Sequence, residues 1–179
     1  KEAYAMLKED EKKVKSFLIT KGIDEKEISF SSVYIRKDFR SQNDGNGNYS
    51  QYFNGYVLDE SVIIESKNIQ KVETISKDIA QLIDQGIELN SNAPRYYYSK
   101  LKDLKVELLA KAAADANIRA STIAKNSKSS LGGLLKSNMG IFQITGQNTD
   151  EDYSYGGAFN TSSINKTASI TVKAEYQIK

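Results

Sequence analysis

The stretch Ala168-Ser-Ile170-Thr-Val172-Lys-Ala174-Glu-Tyr176-Gln-Ile178 alternates apolar and polar residues over eleven positions. In a β-strand successive side chains point to opposite faces, so this run describes a strand with one face for a core and one for water. Upstream of it, Leu101, Leu104, Leu108, Ala112, Ala116, Ala120 and Ile123 recur at helical spacing over Ser99–Lys125. They predict a long helix whose small-residue stripe lies on a flat partner. Between the two, Met139–Thr145 reads as a strand and Gln147–Thr161 (QNTDEDYSYGGAFNT) as a long loop. The second half is therefore expected to be a helix across an antiparallel hairpin. A fully helical 99–125 would be about 40 Å long, more than one sheet face covers, so part of it is expected to meet another lobe or subunit.

The first half continues the theme. Ala3, Leu7, Val14, Phe17 and Leu18 give an opening helix an apolar stripe among charges, and Gly22 stands where a left-handed C-cap belongs. Ile28, Phe30 and Tyr34 predict a strand that ends near Asp38, and Tyr52–Glu65 predicts a second. The polar segment Arg40–Ser50 is expected to be the hairpin loop between them. Ile69, Val72, Ile75, Ile79, Leu82 and Ile83 define a second helix, with Asn68 as its N-cap and Gly86 as its C-cap. A further strand is expected to start at Ile87–Asn90 and resume at Arg95–Tyr98, with Pro94 at its edge. The result is an α+β fold: antiparallel sheets with helices on one face, a βαββαβ-type part whose first strand would precede Lys1, then a long helix and C-terminal hairpin. One domain over 1–179 is expected, with sub-parts 1–98 and 99–179. The opening helix starts without a capping residue, so this is read as a piece whose upstream segment held a signal, an anchor or that first strand.

Composition narrows the chemistry. With 25 basic and 23 acidic residues, charge is nearly balanced and interleaved, as in Lys8-Glu-Asp-Glu-Lys-Lys13, which argues against nucleic acid as a partner. The chain has no His, Cys or Trp. Catalytic triads, thiolate chemistry and His- or Cys-based metal sites are thereby excluded. No apolar run reaches the roughly 20 residues that span a bilayer. The long helix mixes Lys, Asp, Glu and Arg too evenly for a basic membrane-surface helix.

Candidate sites follow. Asp44-Gly-Asn-Gly-Asn48 resembles the opening of a calcium loop, but Tyr49 and Gly55 stand where an EF-hand needs Gly and Glu. Gly132-Gly133 and Gly156-Gly157 read as turns, outside any phosphate-loop context. In a strand, Tyr96 and Tyr98 would share one side, which suits edge packing better than a stacking platform. Asn48, Asn160 and Asn165 open N-x-[ST] sequons. In the long loop, Asp150, Glu151 and Asp152 stand beside Tyr153, Tyr155 and Phe159: acids for a basic partner and aromatics for an interface anchor. Neighbouring carboxylates on one loop do not flank a bond as paired-carboxylate hydrolysis requires. No catalytic, cofactor or metal residue is expected, and the chain is read as non-enzymatic.

Phe17-Leu-Ile-Thr-Lys-Gly22-Ile, Glu27-Ile-Ser, the helix Ile69–Ile83 with Gly86-Ile87, the helix Leu101–Ala124 with Ala112-Ala-Ala-Asp115-Ala116, and the last strand Thr167–Ile178 resemble the SIMPL (DUF541) family in their order. The resemblance spans nearly the whole chain. It implies a bacterial, periplasmic or cell-envelope protein, exported or held by an N-terminal anchor, and for some members a ring-like homo-oligomer. A homo-oligomer or a protein partner, met through exposed strand edges and the Gln147–Thr161 loop, is accordingly expected. It also implies an association with oxidative stress, and no family catalytic residue to carry over. A periplasmic small-ligand-binding module is the alternative.

Overall fold

The computed structural model describes residues 1–152 and 154–179. The chain divides into two compact units, Lys1–Pro94 and Arg95–Lys179. The boundary falls just before the expected one at Tyr98, because the Tyr96 N–H donates to the Thr161 carbonyl (2.7 Å) and ties that segment to the second unit.

In the first unit, α1 (Glu2–Thr20) is followed by β1 (Ile28–Phe30), β2 (Tyr34–Asn43), β3 (Tyr49–Asp59) and β4 (Val62–Ile64). Next comes α2 (Ile69–Asp78), which tightens into a 3-10 turn over Ile79–Gln85. β1 pairs antiparallel with β4, and β2 with β3, so the four strands form one hairpin interrupted at its base. Leu18, Ile23 and Ile75 are buried at the core, with Val14, Phe17, Ile28, Val62, Ile64 and Ile79 packed around them. Two glycines close the helices onto it. Gly22 (φ +84°) lets its own N–H bond the Ile19 carbonyl and the Ile23 N–H bond the Leu18 carbonyl. Gly86 (φ +81°) does the same for Ile83 and for the Ile87–Leu82 pair. In each motif both residues of the second bond are buried, the hydrophobic contact that accompanies a Schellman ending. Asn68 caps α2 as its position predicts, its side-chain oxygen accepting from the Lys71 N–H (3.1 Å).

Two expectations fail here. The hairpin loop is not Arg40–Ser50, since the ladder continues to Asn43↔Tyr49 and only residues 44–48 turn. Polar side chains hid these strand ends because neither face is covered there, so no alternation was selected. Residues 87–98 form no strand either. Ile87 is spent on the helix ending, and Tyr96 bonds a loop carbonyl. Of the βαββαβ order, the chain shows the αββα portion.

The second unit holds α3 (Leu101–Asn126), β5 (Leu131–Met139), β6 (Gln143–Gly146), β7 (Lys166–Ser169) and β8 (Val172–Ile178). β5 pairs with β8 and β6 with β7, both antiparallel. The expected single C-terminal strand thus breaks at residues 170–171, and Gly132-Gly133 lies within β5 rather than in a turn. α3 packs on β8 and, less extensively, on β5. Val172, Ala174 and Tyr176 are half-buried while Lys173, Glu175 and Gln177 are exposed, the alternation that the sequence carries. On α3 the half-buried stripe follows Leu101, Leu104, Leu108, Ala112, Ala116 and Ala120 but ends on buried Ala124, leaving Ile123 exposed. Steps of four residues advance about 400°, so the stripe drifts around the helix toward Ala124. The α+β class holds, and every pairing between named strands is antiparallel.

Candidate functional site

The loop that carries the interaction residues is built on β6. Ile144 is buried, and so are the polar Gln143 and Thr145 beside it. One edge of β6 pairs with β7. The other is taken by the loop itself: the Ile144 N–H donates to the Ala158 carbonyl (2.7 Å) and the Asn160 N–H to the Ile144 carbonyl (2.8 Å). Gln143 reinforces this from its side chain, donating to the Ser154 carbonyl (2.9 Å) and accepting from the Ala158 N–H.

Glu151 fastens the near end. Its carboxylate accepts from the Gly146 N–H (2.6 Å) and from the Asn160 side-chain amide (2.6 Å), with the Thr149 hydroxyl at 3.5 Å. Asn160 is buried and uses its own oxygen to accept from the Ser163 N–H (2.8 Å). Lys166 completes the knot, donating to the Asn160 carbonyl (2.7 Å) and the Ser163 carbonyl (2.5 Å). The bond from Gly146, then that from Asn160, holds the Glu151 carboxyl below its ordinary range. Burial pushes the Lys166 ammonium down, and the charge of Glu151 opposes that shift.

The six loop residues therefore separate. Glu151, exposed like its neighbours, is engaged by hydrogen bonds to the loop itself. Asp150 and Asp152 are exposed. Tyr155 is 101% exposed, and Phe159 is half out in solvent with its ring 6.3 Å from that of Tyr97. Tyr153 lies outside the described residues. Among the described residues no three acidic side chains converge to hold a metal ion. Asn160, Lys166, Gly146 and Gln143 were not singled out as a network by sequence. The available signal was Gln143 and Thr145 flanking Ile144 in the strand expected over Met139–Thr145, of which the structure keeps Gln143–Gly146 as β6.

Each unit carries an open groove. One, about 440 Å³, is lined by Lys12, Lys13, Ser16, Phe17, Thr20 and Gln85. The other, about 380 Å³, lies among Ile141, Gln143, Ser154, Tyr155, Ile170 and Thr171.

The second exposed feature is the β2–β3 ribbon. Cross-strand partners share a face, so Ile35, Lys37, Phe39, Phe53, Tyr56 and Leu58 lie together on one side. Phe53 packs edge-on against both Phe39 (5.9 Å) and Tyr56 (5.3 Å). All three rings are about half exposed. The opposite side carries Tyr34, Arg36, Asp38, Arg40 and Asp59, with Arg36 3.6 Å from Asp59 and Asn54 donating to Asp38 (2.6 Å). Among the described residues, β2 has no strand on its second edge.

Twin glycine-closed helices, two interrupted antiparallel hairpins and a long small-residue helix define an α+β domain whose exposed features are surfaces. The chain matches the SIMPL family model, a protein of unknown function (DUF541), over residues 1–177, and it belongs to that family. No curated protein shows significant similarity to it. Among the described residues no helix is long and apolar enough to cross a membrane.

Proposed function

We propose that this SIMPL-family chain is a non-enzymatic protein of the bacterial cell envelope that works by self-association or by binding a protein partner. Its contacts would be made by open strand edges and by the exposed part of the 147–161 loop. The observation that supports this reading most is the β2–β3 ribbon, with an aromatic face in water and an unpaired edge on β2. Exposed edges with apolar faces are templates for pairing, and folded proteins retain them where a partner covers them. The loop contributes differently. Its inner residues are fastened, so Tyr155, Phe159, Asp150 and Asp152 are presented on a preorganised frame, which lowers the ordering cost of a contact. Any role in oxidative stress would come through assembly, since the chain has no Cys or His for redox chemistry. Periplasmic export belongs to the same reading.

The test is mass as a function of concentration. Light scattering on the chain is expected to show a species heavier than the monomer that grows with concentration. A monomer at every concentration, together with failure to retain any envelope protein in a pull-down, removes the reading.

A further inference from the structure

We propose that β2 is the seam through which two copies of this chain pair antiparallel, with Lys37 on the two-fold axis. This rests on the self-association reading and names its partner and register.

The two edges of the ribbon are unlike. β3 carries a bulge, because Asp38 pairs with Gly55 and Phe39 with Phe53, leaving Asn54 unpaired. It also has α1 packed against it. A bulge protects an edge from added strands. β2 runs ten residues with no Gly, no Pro and no extra residue of its own. Among the described residues, backbone donors and acceptors along its outer edge have no strand to bond.

The charges on β2 then choose the occupant. In an antiparallel pair centred on Lys37, Arg36 of one copy stands opposite Asp38 of the other, and Asp38 opposite Arg36. Ile35 stands opposite Phe39, and Tyr34 opposite Arg40, each twice. Opposite charges, aromatic with β-branched residues, and an arginine over a tyrosine ring are all favourable cross-strand neighbours. The Asp59–Arg36 contact within one copy (3.6 Å) would extend into Asp38 of the second. Lys37 against itself is the one like-charge pairing among residues 34–40. Centring on Asp38 instead places Arg36 opposite Arg40 twice and Asp38 opposite itself. A shift by half a step sets the aromatic face of one copy beside the charged face of the other. In the Lys37 register the two aromatic faces join into one, carrying Ile35, Phe39, Phe53 and Tyr56 from both copies. A row of charges that repels a generic strand thus accepts a second copy of its own.

Sedimentation velocity on the full chain tests this with charge reversals. Arg36→Asp alone or Asp38→Arg alone sets like charges opposite each other twice, and each is expected to weaken association about tenfold. An equimolar mixture of the two variants restores both attractions and is expected to associate like the wild type. If the wild type associates and the single reversals leave it unchanged, the seam is wrong and self-association stands. If both reversals weaken it and the mixture is not restored, the register is wrong. A wild type that stays monomeric removes the seam and self-association together, and leaves partner binding as the only form of the proposed function. Cross-linking gives a readout that does not depend on charge. The chain has no cysteine, so Lys37→Cys introduces a single thiol about 5 Å from its twin. Ser41→Cys places its twins about 27 Å apart. Under mild oxidation the first is expected to form a covalent dimer and the second to remain monomeric, while equal yields overturn the seam. Circular dichroism confirms that each variant is folded.

Discussion

The two units solve the same problem with opposite materials. Each closes an interrupted antiparallel hairpin onto helix. In Lys1–Pro94 the closure is apolar: Leu18, Ile23 and Ile75, with Leu82 and Ile87 buried at the second helix ending. In Arg95–Lys179 the buried residues around β6 include Gln143, Thr145 and Asn160, and the loop is held by hydrogen bonds that converge on Glu151 and Lys166. Apolar burial is tolerant of direction, whereas a buried polar network holds one arrangement because each unmade bond is costly. The first unit is thus built for stability under an open ribbon, and the second for fixing the shape of a loop.

Substitutions test that contrast, starting with the apolar side. Leu18 is 1% exposed at the centre of the first core, and Leu18→Ala is expected to cost about 2–5 kcal/mol in chemical denaturation. A loss under 1 kcal/mol would show that the core does not carry the unit. On the polar side, Asn160→Ala leaves the Ser163 N–H and one Glu151 oxygen without their partner. It is expected to cost about 1–3 kcal/mol, with loss of amide protection confined to the 146–163 region. Gly146→Ala sharpens the same point sterically, since an added methyl would meet the Ser163 hydroxyl and the Thr149 methyl at 2.6 Å. A loss of about 1–3 kcal/mol is expected, read as a lower midpoint of thermal unfolding.

Acid tests the Glu151 fastener without mutation. The Glu151 carboxyl titrates below its ordinary range in the folded chain. Its contribution is therefore complete above the unfolded carboxylate value and is lost as pH falls through the lower, folded one. Corrected for intrinsic rates, exchange protection at the Gly146 amide is expected to fall across that acid window, and Glu151→Gln is expected to flatten the dependence. Protection that persists with Glu151 protonated would mean that the carboxylate is not the fastener. The smallest effect belongs to the exposed acids: Asp150→Asn and Asp152→Asn are each expected to shift stability by less than about 0.5 kcal/mol.

Much of this frame was legible in the residues, and the misses have physical reasons. Gly22-Ile23 and Gly86-Ile87 announced helix endings, because only a left-handed residue followed by an apolar one makes that closure. The β8 alternation and the α3 stripe were readable because one face of each meets a neighbour. The outer ribbon was cut short in the sequence reading for the converse reason. Arg40–Asn43 and Tyr49–Gln51 are exposed on both faces, so periodicity had nothing to record. The Glu151–Asn160–Lys166 knot was hidden because hydrogen bonds between residues nine and six positions apart in a loop leave no regular spacing. The acidic-aromatic run was legible as a feature, but the hydrogen bonds of Glu151 to Gly146 and Asn160 within the loop were not.

The open β2 edge is the claim on which the functional account depends, and hydrogen exchange at two protein concentrations tests it most directly. On concentration, alternate amides of Tyr34–Asn43 are expected to gain protection as their outward N–H groups find carbonyls of a second copy, while the amides of α2 stay unchanged. Association measured in the same sample with no added protection anywhere in Tyr34–Asn43 would contradict the account.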